Sequence, residues 1–202
     1  MFPVVGKKMT PIVRDEVPAH LTEEEVNRLV RAYQEWFDAR PGVYRAKYWA
    51  IFLLLRFTGA RVSEVLALDD TRDLDFRRSE VVLPTLKRKS RTRRTVPLPK
   101  NVIAEIGRLL AEFPELRGKL FRADRTRVWR VFRERCQAAG IRKELSHPHV
   151  LRHTRAIELL RTGVPVTAVQ QILGHANIGT TAIYLRFTGR EIRQVMEDRG
   201  LI

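Results

Sequence analysis

The sequence predicts an α+β fold, predominantly α-helical with a small three-stranded antiparallel sheet. Three observations carry this. Apolar residues recur at helical spacing from Val26 to Phe37, and helical patterns return from Lys100 onward. A nearly all-apolar run from Tyr44 to Phe57 reads as a buried helix. Between them, residues 73–96 switch to short strand-like segments separated by charged turns.

In chain order, residues 1–18 hold three prolines and little periodicity, which predicts a tail or linker ahead of one domain over 19–202. Thr22 with Glu25 three positions on has the spacing of a capping box, in which each side chain satisfies a backbone N–H of the first turn. The helix it opens runs to about Ala39, with Val26, Leu29, Val30, Tyr33 and Phe37 on its apolar face, and Pro41-Gly42 breaks it. After the buried helix, Thr58-Gly59 ends one element and opens another carrying Arg61, Glu64 and Leu66. Strands are predicted at Asp73–Phe76, Glu80–Thr85 and Arg94–Val96. Further helices are predicted at roughly 100–112, 124–139, 149–161, 166–173, 178–186 and 189–199.

Composition narrows the function classes. With 38 basic residues against 23 acidic ones, the formal charge is +15 and the pI is near 10.9, which favours a polyanionic partner, nucleic acid above all. Thirty of the basic residues are arginine, whose planar fork matches phosphate. Six basic residues fall in the eight from Lys87 to Arg94, and Arg127, Arg130 and Arg133 repeat every three positions along one predicted helix. Each pattern suits either a solvated surface or contact with a DNA backbone. The single cysteine, Cys136, falls in an apolar pattern with Val128, Val131, Phe132 and Ala139, so a buried thiol is expected and a disulfide framework is excluded. No run of 18 or more apolar residues and no signal-peptide pattern occurs, which predicts a cytosolic protein. There is neither a Gly-x-x-x-x-Gly-Lys-Ser/Thr phosphate loop nor a clustered Asp/Glu set for two-metal chemistry.

A set of polar residues points to a phosphodiester. His149 and Arg152 lie three apart, the spacing that puts an imidazole and a guanidinium on one helix face. In Leu173-Gly174-His175 the glycine suits a helix C-terminus and leaves His175 in the turn beyond it. Tyr184 follows nine residues later. A phenol of pKa about 10 becomes a nucleophile only beside cations or a proton acceptor, which the other residues can supply. His149 and His153 have the spacing of a zinc pair, yet no third ligand lies at useful spacing and Arg152 between them repels a cation, so no metal is expected.

Five segments occur in order: Thr-Gly-Ala-Arg-Val-Ser-Glu-Val-Leu-Ala-Leu at 58–68, Lys89 upstream of Val96-Pro97-Leu98, His-Val-Leu-Arg-His-Thr at 149–154, Leu-Gly-His at 173–175, and Thr-Thr-Ala-Ile-Tyr at 180–184. In this combination the chain resembles the catalytic domain of the tyrosine recombinases, the integrase family that cuts and rejoins DNA through a phosphotyrosine intermediate.

The resemblance implies that fold and a catalytic set of Arg61, Lys89, His149, Arg152, His175 and Tyr184. Arg61 and Arg152 would clamp the phosphate, Tyr184 would attack, Lys89 would protonate the leaving 5′ oxygen, His149 would assist at the tyrosine, and His175 would bond the phosphate. Counting back from Pro97 selects Lys89, with Lys87 as the alternative. Glu64 and His153 would support the set. Lys87, Arg88, Arg91, Arg93, Arg94, Arg127, Arg130 and Arg133 would contact DNA. No cofactor is implied. The partners implied are double-stranded DNA and further copies of the chain, as a tetramer on paired sites. The apolar side of the last helix, Arg190 to Arg199, would dock in cis or be passed to a neighbour. The separate N-terminal DNA-binding domain usual in the family is missing, so the sequence reads either as the catalytic part of a longer protein or as a compact recombinase. Relaxation of DNA in the manner of a type IB topoisomerase and noncatalytic DNA binding are the alternative functions.

Overall fold

The computed structural model describes residues 18–85 and 92–174, together with Glu197. The first helix, α1 (Glu23–Asp38), begins as its capping box predicts: the Thr22 hydroxyl accepts from the Glu25 N–H at 3.2 Å, and the Glu25 carboxylate accepts from the Thr22 N–H at 2.9 Å. Its apolar face, with Val26, Leu29, Tyr33 and Phe37 buried, packs on α2 (Val43–Thr58).

Helix α2 is the spine of the domain. From Tyr48 to Arg56 every residue is buried, so it has no solvated face and must be enclosed by other elements. Tyr33 stacks on Phe52 with centroids 3.9 Å apart and lies 6.2 Å from Trp49, whose indole N–H finds Glu105 at 2.9 Å. Fully burying side chains of this size contributes about 1.5–3 kcal/mol each.

The next element is shorter than its sequence suggests. Helix α3 (Val62–Val65) is a single turn, and Arg61 stands at its N-cap in extended conformation rather than within it. The sheet follows, β1 (Leu74–Asp75), β2 (Glu80–Pro84) and β3 (Arg93–Pro97), antiparallel in the order β1-β2-β3. Val81 pairs with Val96 and Leu83 with Arg94, and the alternation along β2 turns Val81 and Leu83 into the core. Lys87, Arg88, Lys89 and Arg91, between β2 and β3 in the chain, lie outside the described residues.

Helices α4 (Lys100–Glu112), α5 (Arg125–Ala138), α6 (His149–Arg161) and α7 (Val166–Leu173) stand where the periodicity predicts. Cys136 on α5 is buried, and burial pushes its thiol up to about 12, so it is an inert core group. Helix α6 crosses α2, where the Glu158 carboxylate takes both Arg56 Nη atoms at 2.7 Å. A small second cluster of Ala156, Ile157, Val169 and Leu173 holds α7 against α6. Among the described residues, no helix is long and apolar enough to cross a membrane, and no group of three or more His, Cys, Asp or Glu residues is placed to hold a metal ion.

Candidate active site

The site is organised around the turn that ends α2. Gly59 adopts φ +64, a left-handed conformation that L side chains rarely take. Its missing side chain is also what lets the elements meet. A Cβ there would lie 2.6 Å from Leu173 Cδ2 of α7 and 3.3 Å from Arg155 Cβ of α6. Thr58 stabilises the turn, donating its hydroxyl to the Leu54 carbonyl and accepting from the Ala60 N–H at 3.1 Å.

Two of the expected catalytic residues converge on this turn. Arg152 comes from α6, is only 2 % exposed, and donates Nη1 to the Gly59 carbonyl at 2.8 Å. Arg61 follows two residues after Gly59, and its Nη1 donates to Glu64 Oε1 at 3.0 Å. The Glu64 carboxylate also accepts from the Arg61 backbone N–H at 3.0 Å, so one acid fixes both ends of Arg61. The Arg61 side chain remains 22 % exposed. Arg152 is thus held by the carbonyl of the turn, and Arg61 by a carboxylate three residues further along the chain.

Glu64 is fully buried. Burial by itself pushes its pKa up, but hydrogen bonds and charge from Arg94 and Arg61 outweigh burial and hold the carboxyl below its ordinary value. It is therefore ionised at neutral pH and serves as a fixed anchor rather than a proton carrier.

His149 opens α6 and is exposed, while His153 one turn later is part-buried. Their rings meet edge to face, 4.8 Å apart. The spacing expected to align His149 with Arg152 thus separates them by depth: Arg152 is buried and His149 is exposed. His147 stacks on Trp129 of α5, with centroids 6.4 Å apart, just ahead of α6. Burial first, then charge at His149, His147 and Arg152, pushes His153 down to about 4.

This shift gives a stability prediction. A histidine whose folded pKa lies below its unfolded value of about 6.5 favours the folded state above that pH, and the contribution is lost as pH falls towards 4. Because the ring is only partly buried, solvent screening limits the effect to on the order of 1–2 kcal/mol. Thermal melts at pH 7, 5.5 and 4 should show stability declining across this window, with a shallower decline in His153→Gln. An equal slope in wild type and variant would assign the decline to other groups.

The basic residues expected on DNA divide into two kinds. Arg127, Arg130 and Arg133 are exposed on α5, and the last two line an open groove of about 640 Å³ with Trp129 and Lys143. The two on β3 are engaged with the protein. Arg93 binds the buried Asp73, which Arg72 also holds at 3.0 Å. Arg94 points inward, with its side chain 11 % exposed and all three nitrogens directed at protein acceptors. The sequence held a signal for this: Arg94 is two residues before the core residue Val96, and strand alternation puts the two on one face. Lys87, Arg88, Lys89, Arg91, His175 and Tyr184 lie outside the described residues, although Gly174, at φ +68, ends α7 as the Leu-Gly-His motif predicts.

Comparison with known proteins places this arrangement. The phage integrase family pattern matches residues 19–190. The chain is 35% identical over 190 residues to a tyrosine recombinase of Thermosipho africanus, an alignment covering 90% of this chain and 62% of that protein. It is 31% identical over 201 residues to the tyrosine recombinase XerA of Pyrococcus furiosus, covering 95% and 65%. The chain therefore spans less than two thirds of the length of these relatives. Among solved structures, a XerA recombinase aligns with TM-score 0.72 at 30% identity, over 97% of this chain and 69% of that one. The catalytic domain of bacteriophage HP1 integrase aligns with TM-score 0.63 at 25% identity, over 89% and 94%. XerH bound to its difH substrate aligns with TM-score 0.73 at 25% identity, over 89% and 54%. Motif order, a shared tyrosine recombinase catalytic-domain fold and these similarities agree, and the chain belongs to the phage integrase family.

Proposed function

We propose that this chain performs site-specific DNA strand exchange, cutting and rejoining DNA through a 3′-phosphotyrosine intermediate. The observation that carries the reading is the joint anchoring of Arg61 and Arg152 at one turn, by Glu64 and by the Gly59 carbonyl. Negative charge builds on the equatorial oxygens of the pentavalent transition state, where preorganised donors contribute more than they do in the ground state.

In the proposed reaction the Tyr184 oxygen attacks phosphorus and the bond to the 5′ oxygen breaks. The phenolic proton leaves with assistance from His149, and Lys89 supplies the proton that the departing 5′ oxygen takes up. His175 bonds a phosphate oxygen. Lys89, His175 and Tyr184 are assigned on motif order and family membership. The phosphotyrosine conserves the bond energy until another 5′ hydroxyl attacks it, so the scheme requires no nucleotide or metal. Integration, excision, inversion and resolution all use this exchange.

Double-stranded DNA is the proposed substrate, supported by the charge of +15 and by the related XerH, which was solved on its difH DNA. The exposed arginines of α5 track the backbone in this reading. Strand exchange between two duplexes further requires a tetramer on paired sites. The helix predicted from Arg190 to Arg199 would bind a neighbouring subunit, and the protein would share the cytoplasm with the chromosome. Two duplexes bearing the same site and different fluorophores test the reaction: strand exchange joins both colours in one strand. Relaxation of supercoiled DNA without any joined product would replace this reading with a topoisomerase-like one.

A further inference from the structure

Arg94 is an arginine on the core side of a sheet, inside a run of basic residues whose charge suggests DNA contact. The register explains its direction. Opposite Leu83 and two residues before Val96, it shares their inward face. There its Nη2 donates to Glu64 Oε2 at 2.8 Å and its Nε donates to the Ile172 carbonyl at 2.8 Å. Nη1 makes longer contacts, 3.4 Å each, to Glu64 Oε1 and to the Thr85 hydroxyl.

We propose that Arg94 is a positioning residue for DNA cleavage, a single guanidinium that frees Arg61 to bind phosphate and ties the three catalytic segments together. The inference rests on the proposed role of Arg61. Glu64, fully buried, needs compensating charge. If Arg61 were its sole cation, the pair would be electrically neutral and Arg61 would be spent as a counter-ion. With Arg94 present, two guanidiniums share one carboxylate, and the cluster keeps one net positive charge beside the Gly59 turn.

The same side chain links three elements. It sits on β3, five residues after Lys89; it binds the acid that orients Arg61; and it holds the end of α7, three residues before His175. The α7 terminus is shaped around it. A Cβ at Gly174 would lie 2.8 Å from Arg94 Nη1 and 2.9 Å from Cζ, so this glycine serves both the left-handed backbone and the passage of the guanidinium.

A phosphate contact and a positioning role separate cleanly. Loss of a phosphate contact weakens DNA binding and lowers the salt dependence by about one counterion. Loss of positioning leaves both unchanged and slows chemistry, since small misplacement of catalytic groups costs up to about 100-fold. The experiment measures single-turnover formation of the covalent adduct on a nicked duplex at saturating protein, for wild type, Arg94→Met and Arg94→Lys. Binding is measured in parallel at several salt concentrations.

Arg94→Met should cleave about 10- to 100-fold more slowly with unchanged affinity and salt slope. Arg94→Lys, which keeps the charge but loses the fork, should also be slowed. In an Arg61→Ala background Arg94→Met should cost less than it does alone, because part of its effect runs through Arg61. A wild-type rate in Arg94→Lys, effects that multiply fully with Arg61→Ala, or a deficit confined to binding with a reduced salt slope would each overturn the proposal. Should Arg94→Met fail to fold, Arg94→Lys and its combination with Arg61→Ala carry the same comparison. Absence of adduct with the wild-type protein would count against the proposed function itself, whereas wild-type cleavage that Arg94 variants share would count against this inference alone.

Discussion

Arg152→Lys is expected to slow DNA cleavage by about 100- to 1000-fold while leaving DNA affinity nearly unchanged. The wild-type guanidinium is buried between α2 and α6 and donates to the Gly59 carbonyl, so its plane is set before any DNA arrives. A planar fork can hold a backbone carbonyl with one edge and present another to a phosphate. An ammonium is a point charge on a flexible stem and cannot do both in fixed geometry. The rate is therefore lost through orientation, with formal charge conserved. Binding survives because it depends mainly on the many exposed cations that release counterions from DNA. The substitution also leaves the Gly59 carbonyl without its donor, which costs about 1–3 kcal/mol of stability. Adduct formation measured below the melting temperature of the variant checks the rate, and thermal melting checks the stability. Near-wild-type cleavage by a folded Arg152→Lys would show that charge alone suffices and would remove Arg152 from the phosphate clamp.

The elements most legible in the sequence are those fixed by neighbours in the chain. Thr22 and Glu25 define the start of α1 because a capping box is satisfied within four residues, and β2 declares its inward residues by alternation. Gly59 and Gly174 mark helix ends because a left-handed cap favours glycine wherever it occurs. The motifs also single out Arg61 and Arg152, which the fold holds beside and against the Gly59 turn.

What the sequence conceals depends on distant partners. Glu64 is visible as the local partner of Arg61, three positions away, but its second cation lies 30 residues further on, and only the sheet register brings it back. Arg56 in the middle of an apolar run looks out of place until Glu158, 102 residues away, pairs with it. The charge run from Lys87 to Arg94 masks the inward face of β3, because its composition hides the two-residue period. Helix α3 is shorter than its sequence suggests for a related reason: Arg61 and Glu64 have helical spacing, yet the extended N-cap geometry of Arg61 already satisfies it.

The central claim is that Tyr184 becomes covalently joined to a DNA 3′ phosphate. Phenylalanine differs from tyrosine there only in the nucleophilic oxygen, so Tyr184→Phe removes the bond-forming atom and leaves shape and charge intact. The protein is incubated with a library of labelled nicked duplexes in EDTA, and adducts are resolved on denaturing gels and mapped by peptide mass. We expect a protein-DNA adduct at Tyr184 in the wild type, with a free 5′ hydroxyl on the released strand, and none in Tyr184→Phe although it binds the same DNA equally well. An adduct that persists in Tyr184→Phe, or equal binding by both proteins with no adduct on any duplex, would contradict the account.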